Sequence, residues 1–270
     1  MAVVVVAVAL TASQRLLEAQ GGGDGPRAGY DLVLDTYVRD GLVYYRALRQ
    51  DRAKLDAFVS SLATAAVESA PRNDQIAFWL NAYNAFVLRT VIDQYPIPLR
   101  SQQYPPHSIR QIPGAFERMP RRVGGRTMTL DQIEQTVLPG FNDPRLFLAL
   151  GRGALGSGRL RSEAFTGSDL ERQLSDVAAE CIRRSQCMQV DRGANTVKVS
   201  SIFSWRERDF TGVYGDSGDP KFGTRSPMER AVLAFVKPRL LTTEVEFLER
   251  NEFQVRYIPF DWSLNDLTGR

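Results

Sequence analysis

Apolar side chains recur at helical spacing through the first half of the chain. Over residues 30–64 they lie three or four positions apart, and the pattern breaks at Gly41 and at the strand-like run 42–45. This spacing predicts two helices. Residues 73–93 carry the strongest helix pattern. Their polar stripe is so narrow that we expect this helix to be largely buried.

Two amide side chains lie on the apolar side of this long helix, at Asn81 and Asn84. A buried amide costs free energy unless it is hydrogen-bonded. We therefore expect both side chains to bond to the backbone of a neighbouring segment, for which the turn at 150–158 is the candidate.

The rest of the chain places turn and cap signals between shorter apolar runs. Capping-box patterns predict helix starts at Thr129, Ser168 and Ser226. Hairpins are predicted at 122–129 and 189–200. Strands are predicted at 145–150 and 253–262, and a loop at 214–226. These elements predict an α+β fold with a helical first half and a strand-rich second half.

Composition excludes several classes of function. The 270 residues hold 34 Lys and Arg against 31 Asp and Glu, a net charge of +3. Such a small excess without a basic stripe is not typical of a nucleic-acid-binding protein. Two cysteines and one histidine make a zinc site improbable, and no motif indicates a metal or another cofactor. Cys181 and Cys187 pair if the protein is exported and are free thiols if it stays in the cytoplasm.

The N-terminus has the character of a targeting segment. Residues 2–13 are uncharged and mostly apolar, a run too short to cross a bilayer but suited to the apolar part of a secretory signal. We expect export to the periplasm or the exterior, with a buried N-terminal element in a cytoplasmic protein as the alternative. Residues 20–29 are Gly-rich and predict a flexible linker. The expected organisation is a signal-like segment and linker at 1–29 and one domain at 30–270, with a membrane contact only through an uncleaved N-terminus.

The Gly-rich turn of residues 151–158 follows an apolar run and holds the candidate chemistry. Gly151, Gly153 and Gly156 match a dinucleotide-binding spacing, but no strand–helix–strand frame surrounds them, which favours a structural turn. Ser157 between two glycines is a candidate nucleophile. A serine needs a base, and the one histidine, His107, is distant in the sequence.

The chain resembles the bacterial and plant family called domain of unknown function 547 over roughly residues 30–265. The resemblance rests on motifs in the same order along the chain, of which the most specific are FWLNAYNA at 78–85 and DWSLN at 261–265. Supporting runs are VGGRTMTLDQIE at 123–134 and DPRLFLAL at 143–150.

This resemblance implies a fold similar to papain and transglutaminases and cysteine-based acyl chemistry on peptides or amides. Typical members carry a histidine and two cysteines where this chain has Phe147, Arg152 and Ser157. A thiolate is strongly nucleophilic once a cationic histidine lowers its pKa, and a serine without a base cannot replace it. Arg152 is suited instead to binding a carboxylate or phosphate.

Three functions follow as hypotheses. The first is a degenerate relative of such hydrolases that binds a peptide or an amide-bearing ligand in a cleft. The second is an active serine-dependent hydrolase or acyltransferase that uses Ser157. The third is an envelope interaction module without a small-molecule site. The expected cleft residues are Asn81, Tyr83, Asn84, Arg152, Glu163, Trp205, Asp261 and Asn265. Among these, Glu163 is expected to pair with Arg152 or Arg161, or to be solvated, and Asp261 and Asn265 to cap or close the fold or to orient a group in the cleft.

Overall fold

The computed structural model describes residues 24–216 and 219–268. Its first part is helical, because apolar positions three and four apart bury one face of each helix. The helices are α1 (Asp24–Tyr37), α2 (Tyr45–Gln50), α3 (Ala53–Ser61) and α4 (Arg72–Gln94), and 3₁₀ turns follow α3 at Leu62–Thr64 and Val67–Ser69. A short hairpin of β1 (Val38–Arg39) and β2 (Leu42–Val43) turns at Asp40 and Gly41 between α1 and α2.

The middle of the chain wraps around α4. It contains a hairpin of β3 (Arg121–Val123) and β4 (Arg126–Met128), helix α5 (Leu130–Gln132) and a π-helical continuation at Ile133–Val137. Three further 3₁₀ turns lie at Ile109–Gln111, Leu138–Phe141 and Pro144–Leu148. The Thr129 side chain caps α5 with a full capping box, as its sequence predicts.

The second part contains α6 (Leu170–Arg183), β5 (Met188–Asp191), β6 (Thr196–Ser200), α7 (Ser201–Trp205), α8 (Glu207–Tyr214), α9 (Pro227–Val236), α10 (Thr242–Glu249) and β7 (Gln254–Ile258). Two 3₁₀ turns flank α9, at Pro220–Phe222 and Lys237–Arg239. A disulfide joins Cys181 to Cys187, across the turn between α6 and β5.

The strands of the second part form one sheet in the order β5–β6–β7. β6 is antiparallel to β5 and parallel to β7, with Thr196 opposite Gln254 and Ser200 opposite Ile258. β6 is therefore central and mostly buried, whereas β7 is an edge strand whose residues are exposed or half-buried.

Buried side chains form one hydrophobic cluster, and most residues of α4 are buried. The segment after β7 returns to the N-terminal hairpin. There the Val43 N–H donates to Asn265 O at 2.8 Å, and the Leu267 N–H donates to Val43 O at 3.0 Å. Within the described part of the chain, no helix is long and apolar enough to cross a membrane.

Most of the predicted elements are confirmed and several are wrong. Helix α4, the hairpins, the final strand, the caps at Thr129 and Ser226 and the mixed α and β composition are as expected. The predicted strand at 145–150 is a 3₁₀ turn, because Asp143 caps the Arg145 N–H and Pro144 starts the turn. The second half is mainly helical rather than strand-rich.

Two boundaries also differ. Residues 24–29 of the predicted linker belong to α1, whose Tyr30, Val33 and Leu34 are buried in the core. α6 begins at Leu170 without a side-chain cap, because Thr166 rather than Ser168 accepts from the Asp169 N–H. The predicted signal-like segment lies outside the described residues.

Candidate functional site

The Gly-rich turn is attached to α4 by Asn84. Its Nδ2 donates to Ala149 O at 3.2 Å, and its Oδ1 accepts from the Gly151 N–H at 2.8 Å. One helical turn earlier, Asn81 makes the same pair of bonds with the backbone of Phe165, at 2.8 and 2.9 Å. The expectation that both amides bond to the backbone of another segment is confirmed, although only Asn84 reaches the Gly-rich turn.

Asn84→Ala is expected to lower the free energy of unfolding by about 1–3 kcal/mol, because it leaves a buried N–H and a buried C=O unpaired. Urea unfolding followed by circular dichroism measures this. Asn73→Ala, an exposed substitution in the same helix, is the control and should stay within about 0.5 kcal/mol of wild type. Equal effects of both substitutions would contradict the assignment.

Arg152 is fully buried in an ion pair. It is 2% exposed, and its Nη2 and Nε lie 2.6 and 3.2 Å from the two carboxylate oxygens of Glu134. Its Nη1 donates to Phe147 O at 3.2 Å, and the Tyr83 hydroxyl donates to Glu134 Oε2 at 3.0 Å. Tyr83, Glu134 and Arg152 are called the buried network below.

The opposite charges of Glu134 and Arg152 in the buried network stabilise each other. Burial alone would raise the pKa of Glu134, but the charge and hydrogen bonds of Arg152 outweigh burial and hold that pKa below its usual value. Burial would lower the pKa of Arg152, and the charge of Glu134 reverses this. Burial, followed by the charge of Glu134, raises the pKa of Tyr83, so its hydroxyl remains a donor. Arg152 is therefore neutralised internally, which leaves its guanidinium no free face for a ligand.

The pH dependence of stability should report this pair. Because the pKa of Glu134 is lower in the folded than in the unfolded state, its contribution is complete above about pH 4.3 and is lost as the pH falls towards the folded value. Wild type should therefore exceed Glu134→Gln in unfolding free energy at pH 6, and the gap should shrink at pH 3.5. Urea titrations at the two pH values test this, with the exposed Glu252→Gln as the control. A gap that widens at pH 3.5 would have the wrong sign.

Ser157 is not placed as an accessible nucleophile. It is 5% exposed, its Oγ accepts from the Arg152 N–H at 3.0 Å, and the space beside it amounts to about 10 Å³. Among the described residues no imidazole, carboxylate or lysine hydrogen-bonds to this hydroxyl. His107 is engaged elsewhere, with its Nδ1 2.8 Å from Ile97 O. This geometry lacks the base that a serine nucleophile needs.

Two other expected cleft residues serve separate parts of the fold. Glu163 accepts from Arg161 at 2.5 Å and from Gln173 at 3.3 Å, so it pairs with Arg161 rather than with Arg152. Asn265 accepts from the Tyr45 hydroxyl at 2.7 Å and donates to Gly41 O at 2.9 Å, so it closes the fold.

An aromatic surface lies on the outer side of the Gly-rich turn. Trp205 is 46% exposed, and its ring centroid is 4.8 Å from that of Phe260, which is 4.4 Å from that of Trp262. Trp262 also packs edge-on against Tyr104, and the Arg110 guanidinium lies 4.5 Å from its ring. These five residues are called the aromatic surface below.

Asp261 connects this surface to the turn. Its backbone O accepts from the Gly156 N–H at 2.8 Å, while its exposed carboxylate accepts from the Ser263 N–H at 2.9 Å. The structure thus does not gather the expected cleft residues into one cleft. Tyr83, Asn84 and Arg152 are buried beneath the Gly-rich turn, whereas Trp205 and Asp261 lie on its outer side.

Sequence reasoning missed Glu134, Arg110 and Phe260. An arginine in an apolar run needs a buried carboxylate, which was the available signal for Glu134, but the sequence does not specify which acid supplies it. In residues 24–216 and 219–268, no group of three or more His, Cys, Asp or Glu is placed to hold a metal ion.

The buried network and the Gly-rich turn lie within one stretch of chain that can be compared with known families. Residues 67–182 match the family described as "Protein of unknown function, DUF547". The DUF547 match includes α4, the β3–β4 hairpin, the Gly-rich turn and most of α6, and it supports the family resemblance seen in the sequence motifs. No curated protein and no solved structure matches the chain.

Proposed function

We propose that this protein is a non-catalytic, exported relative of the papain and transglutaminase type of enzyme and that it binds an extended peptide. The binding site is the open edge of β7 together with the aromatic surface. The observation that carries the proposal is the continuity of the two: the exposed edge strand ends at Ile258, and Phe260 and Trp262 follow directly.

An edge strand is suited to a peptide ligand for a chemical reason. One side of β7 pairs with β6, and no described strand pairs with the other side. Backbone N–H and C=O groups on such an edge bind the backbone amides of an added strand, while side-chain pockets supply selectivity. The exposed faces of Trp205 and Phe260 offer large apolar contact area next to the edge. Tyr257, 43% exposed on β7 itself, extends this area.

The buried network supports binding rather than chemistry. The buried guanidinium of Arg152 is neutralised by Glu134, and Ser157 Oγ accepts a backbone hydrogen bond. The space beside Ser157 is too small for a substrate. A filled centre beside an exposed apolar surface is typical of an interaction site.

A serine-directed fluorophosphonate should not label the folded protein. The reason is that Ser157 is buried and that none of the described residues supplies a base to its hydroxyl. The measurement is gel fluorescence and intact mass of wild type beside Ser157→Ala. Labelling of wild type that disappears in Ser157→Ala would overturn the non-catalytic assignment and restore the hydrolase hypothesis.

Peptide binding can be tested with phage-displayed random peptides selected on the purified protein. Affinity of a selected peptide should fall by about tenfold or more in Trp205→Ala, the size typical of an aromatic anchor. Leu241→Ala, which removes another exposed apolar side chain outside the aromatic surface, is the matched control and should bind as wild type does.

Addition of the peptide as a strand to the edge of β7 can be tested separately. N-methylation of alternate peptide residues removes backbone donors from one side of the added strand. One of the two alternate sets should abolish binding and the other should not, since only one side faces β7. Selected peptides that bind Trp205→Ala as tightly as wild type, or tolerate both sets of N-methyl groups, would exclude this site.

Export is proposed from two features. The Cys181–Cys187 disulfide is typical of proteins outside the cytoplasm, and residues 2–13 are suited to a secretory signal. Fractionation of producing cells, with thiol labelling before and after reduction, tests this. Cytoplasmic protein with two labelled thiols would contradict it.

A further inference from the structure

A second site is indicated beside α4, around Arg121. This arginine begins β3, and its guanidinium turns inward rather than out to solvent. Nη1 donates to Met119 O at 2.7 Å, and Nη2 donates to Thr90 Oγ1 and to Ala115 O. Its Cζ lies 5.7 Å from the centre of the Phe86 ring. The side chain is therefore held in one place by neutral acceptors and an aromatic face.

The charge of Arg121 is not matched by a direct ion pair in the described part of the chain. Among the described residues Arg121 takes part in no ion pair, although most arginines of this protein that are similarly withdrawn from solvent have an acidic partner. Asp93, whose charge acts on Arg121 without a direct ion pair, is shared by Arg52 at 2.6 Å and Arg89 at 3.5 Å. Burial lowers the pKa of Arg121 to about 10, so it remains charged at neutral pH. A partly desolvated cation without a counter-ion is costly, and a well-placed anion beside it recovers part of that cost.

The guanidinium adjoins an open cavity of about 470 Å³. Much of the wall is apolar, with Val59, Ala63, Phe86 and Met119. The charged side chains on the same cavity, besides Arg121, are Arg89, Asp93 and Arg122. This volume is in the range of small-molecule sites, which combine apolar walls with a few fixed polar groups.

We propose that this cavity binds a monocarboxylate with a short hydrocarbon body, whose carboxylate pairs with Arg121 and whose hydrocarbon contacts the apolar walls. The N–H groups of this guanidinium that do not bond to Met119, Thr90 or Ala115 can donate a charge-assisted hydrogen bond to a carboxylate. The carboxylate of Asp93 disfavours a dianion such as phosphate, and Arg89, which also lines the cavity, already pairs with Asp56 and Asp93. This site is separate from the peptide site and does not depend on it.

The test is calorimetric titration of the full chain at pH 7 with octanoate, octanamide and inorganic phosphate. Octanoate should bind, octanamide should bind at least about tenfold more weakly, and phosphate should give no heat of binding. Octanamide has the same hydrocarbon body without the charge, so the comparison isolates the contribution of the ligand's charge.

Arg121→Met should weaken octanoate binding by about tenfold or more. Arg126→Met removes the same charge from the neighbouring strand, outside the cavity, and should leave binding unchanged. Because Arg121→Met also removes three hydrogen bonds, Ser60→Trp is the second variant: it fills the cavity from its exposed rim and should weaken binding while Arg121 stays intact.

Several results would overturn the proposal. They are no binding of octanoate to wild type, unchanged octanoate affinity in Arg121→Met or in folded Ser60→Trp, and octanamide binding as tight as that of octanoate. Binding of phosphate in place of octanoate would assign a different class of anion. None of these outcomes bears on the peptide site, so the two proposals fail independently.

Discussion

Arg152→Met is expected to lower the free energy of unfolding by about 3–5 kcal/mol, because it leaves the Glu134 carboxylate buried without its cation. The substitution keeps much of the side-chain volume, so the loss reports charge and hydrogen bonding rather than a cavity. It also removes the donors to Phe147 O and Leu150 O beneath the Gly-rich turn. Urea unfolding at pH 7, followed by circular dichroism and tryptophan fluorescence, is the measurement.

Two further variants identify the cause. Combining Arg152→Met with Glu134→Leu removes both charges and should recover part of the loss, since an apolar replacement of a buried pair is often tolerated. Arg126→Met breaks an exposed ion pair with Glu68 and should cost less than about 1 kcal/mol. If Arg152→Met proved no more harmful than Arg126→Met, the buried network would not hold the turn in place.

Gly158→Ala is expected to destabilise the protein by about 4 kcal/mol or more, or to prevent folding. A Cβ at this position would lie 1.5 Å from Leu148 O and 2.6 Å from Leu148 C. Both are backbone atoms within the core, so no side-chain rotation relieves the overlap, and one of two buried segments must move. Expression yield and urea unfolding measure the effect.

Gly212→Ala is the matched control for this substitution. Gly212 lies within α8, and a Cβ there meets nothing within 4 Å. The control should be neutral or stabilising by up to about 1 kcal/mol, because alanine is the better helix former. Gly158→Ala with a stability within 1 kcal/mol of wild type would mean that the turn does not approach Leu148 as closely as described.

The parts of the fold that could be predicted are those that a continuous apolar pattern or a few neighbouring residues determine. The length of α4 and its near-continuous apolar surface specify a buried helix, and two amides on that surface can only be tolerated with partners. The caps at Thr129 and Ser226 and the Gly124–Gly125 turn are local features that a few residues determine. These parts of the fold, and the need to hydrogen-bond Asn81 and Asn84, follow from the sequence.

The errors arise where tertiary contacts decide between local alternatives. A six-residue apolar run such as 145–150 is suited equally to a buried strand and to a buried turn, and the Asp143 cap favours the turn. α1 begins at Asp24, within the Gly-rich run, and its helical residues Tyr30 and Leu34 are buried by the rest of the fold. Helical propensity in the run itself is low, so the sequence does not reveal this.

The candidate site was predictable in part. Its place, the Gly-rich turn over α4, follows from the apolar run and the glycines, but the partners of its residues do not. Arg152 pairs with Glu134, 18 residues earlier, and Trp205 meets Phe260, far along the chain. Pairings of this kind depend on how helices and strands assemble, which no local pattern encodes.

The joining of both ends of the fold has a consequence for biosynthesis. Tyr45 donates to Asn265 across 220 residues, and Val43 exchanges backbone hydrogen bonds with the same C-terminal segment. At about 5–20 residues per second, the ribosome takes roughly 10–45 s to make the chain between these partners. During that interval the Val43 backbone groups and the Tyr45 hydroxyl lack these native partners, so they depend on water or a chaperone until residues 265–267 emerge.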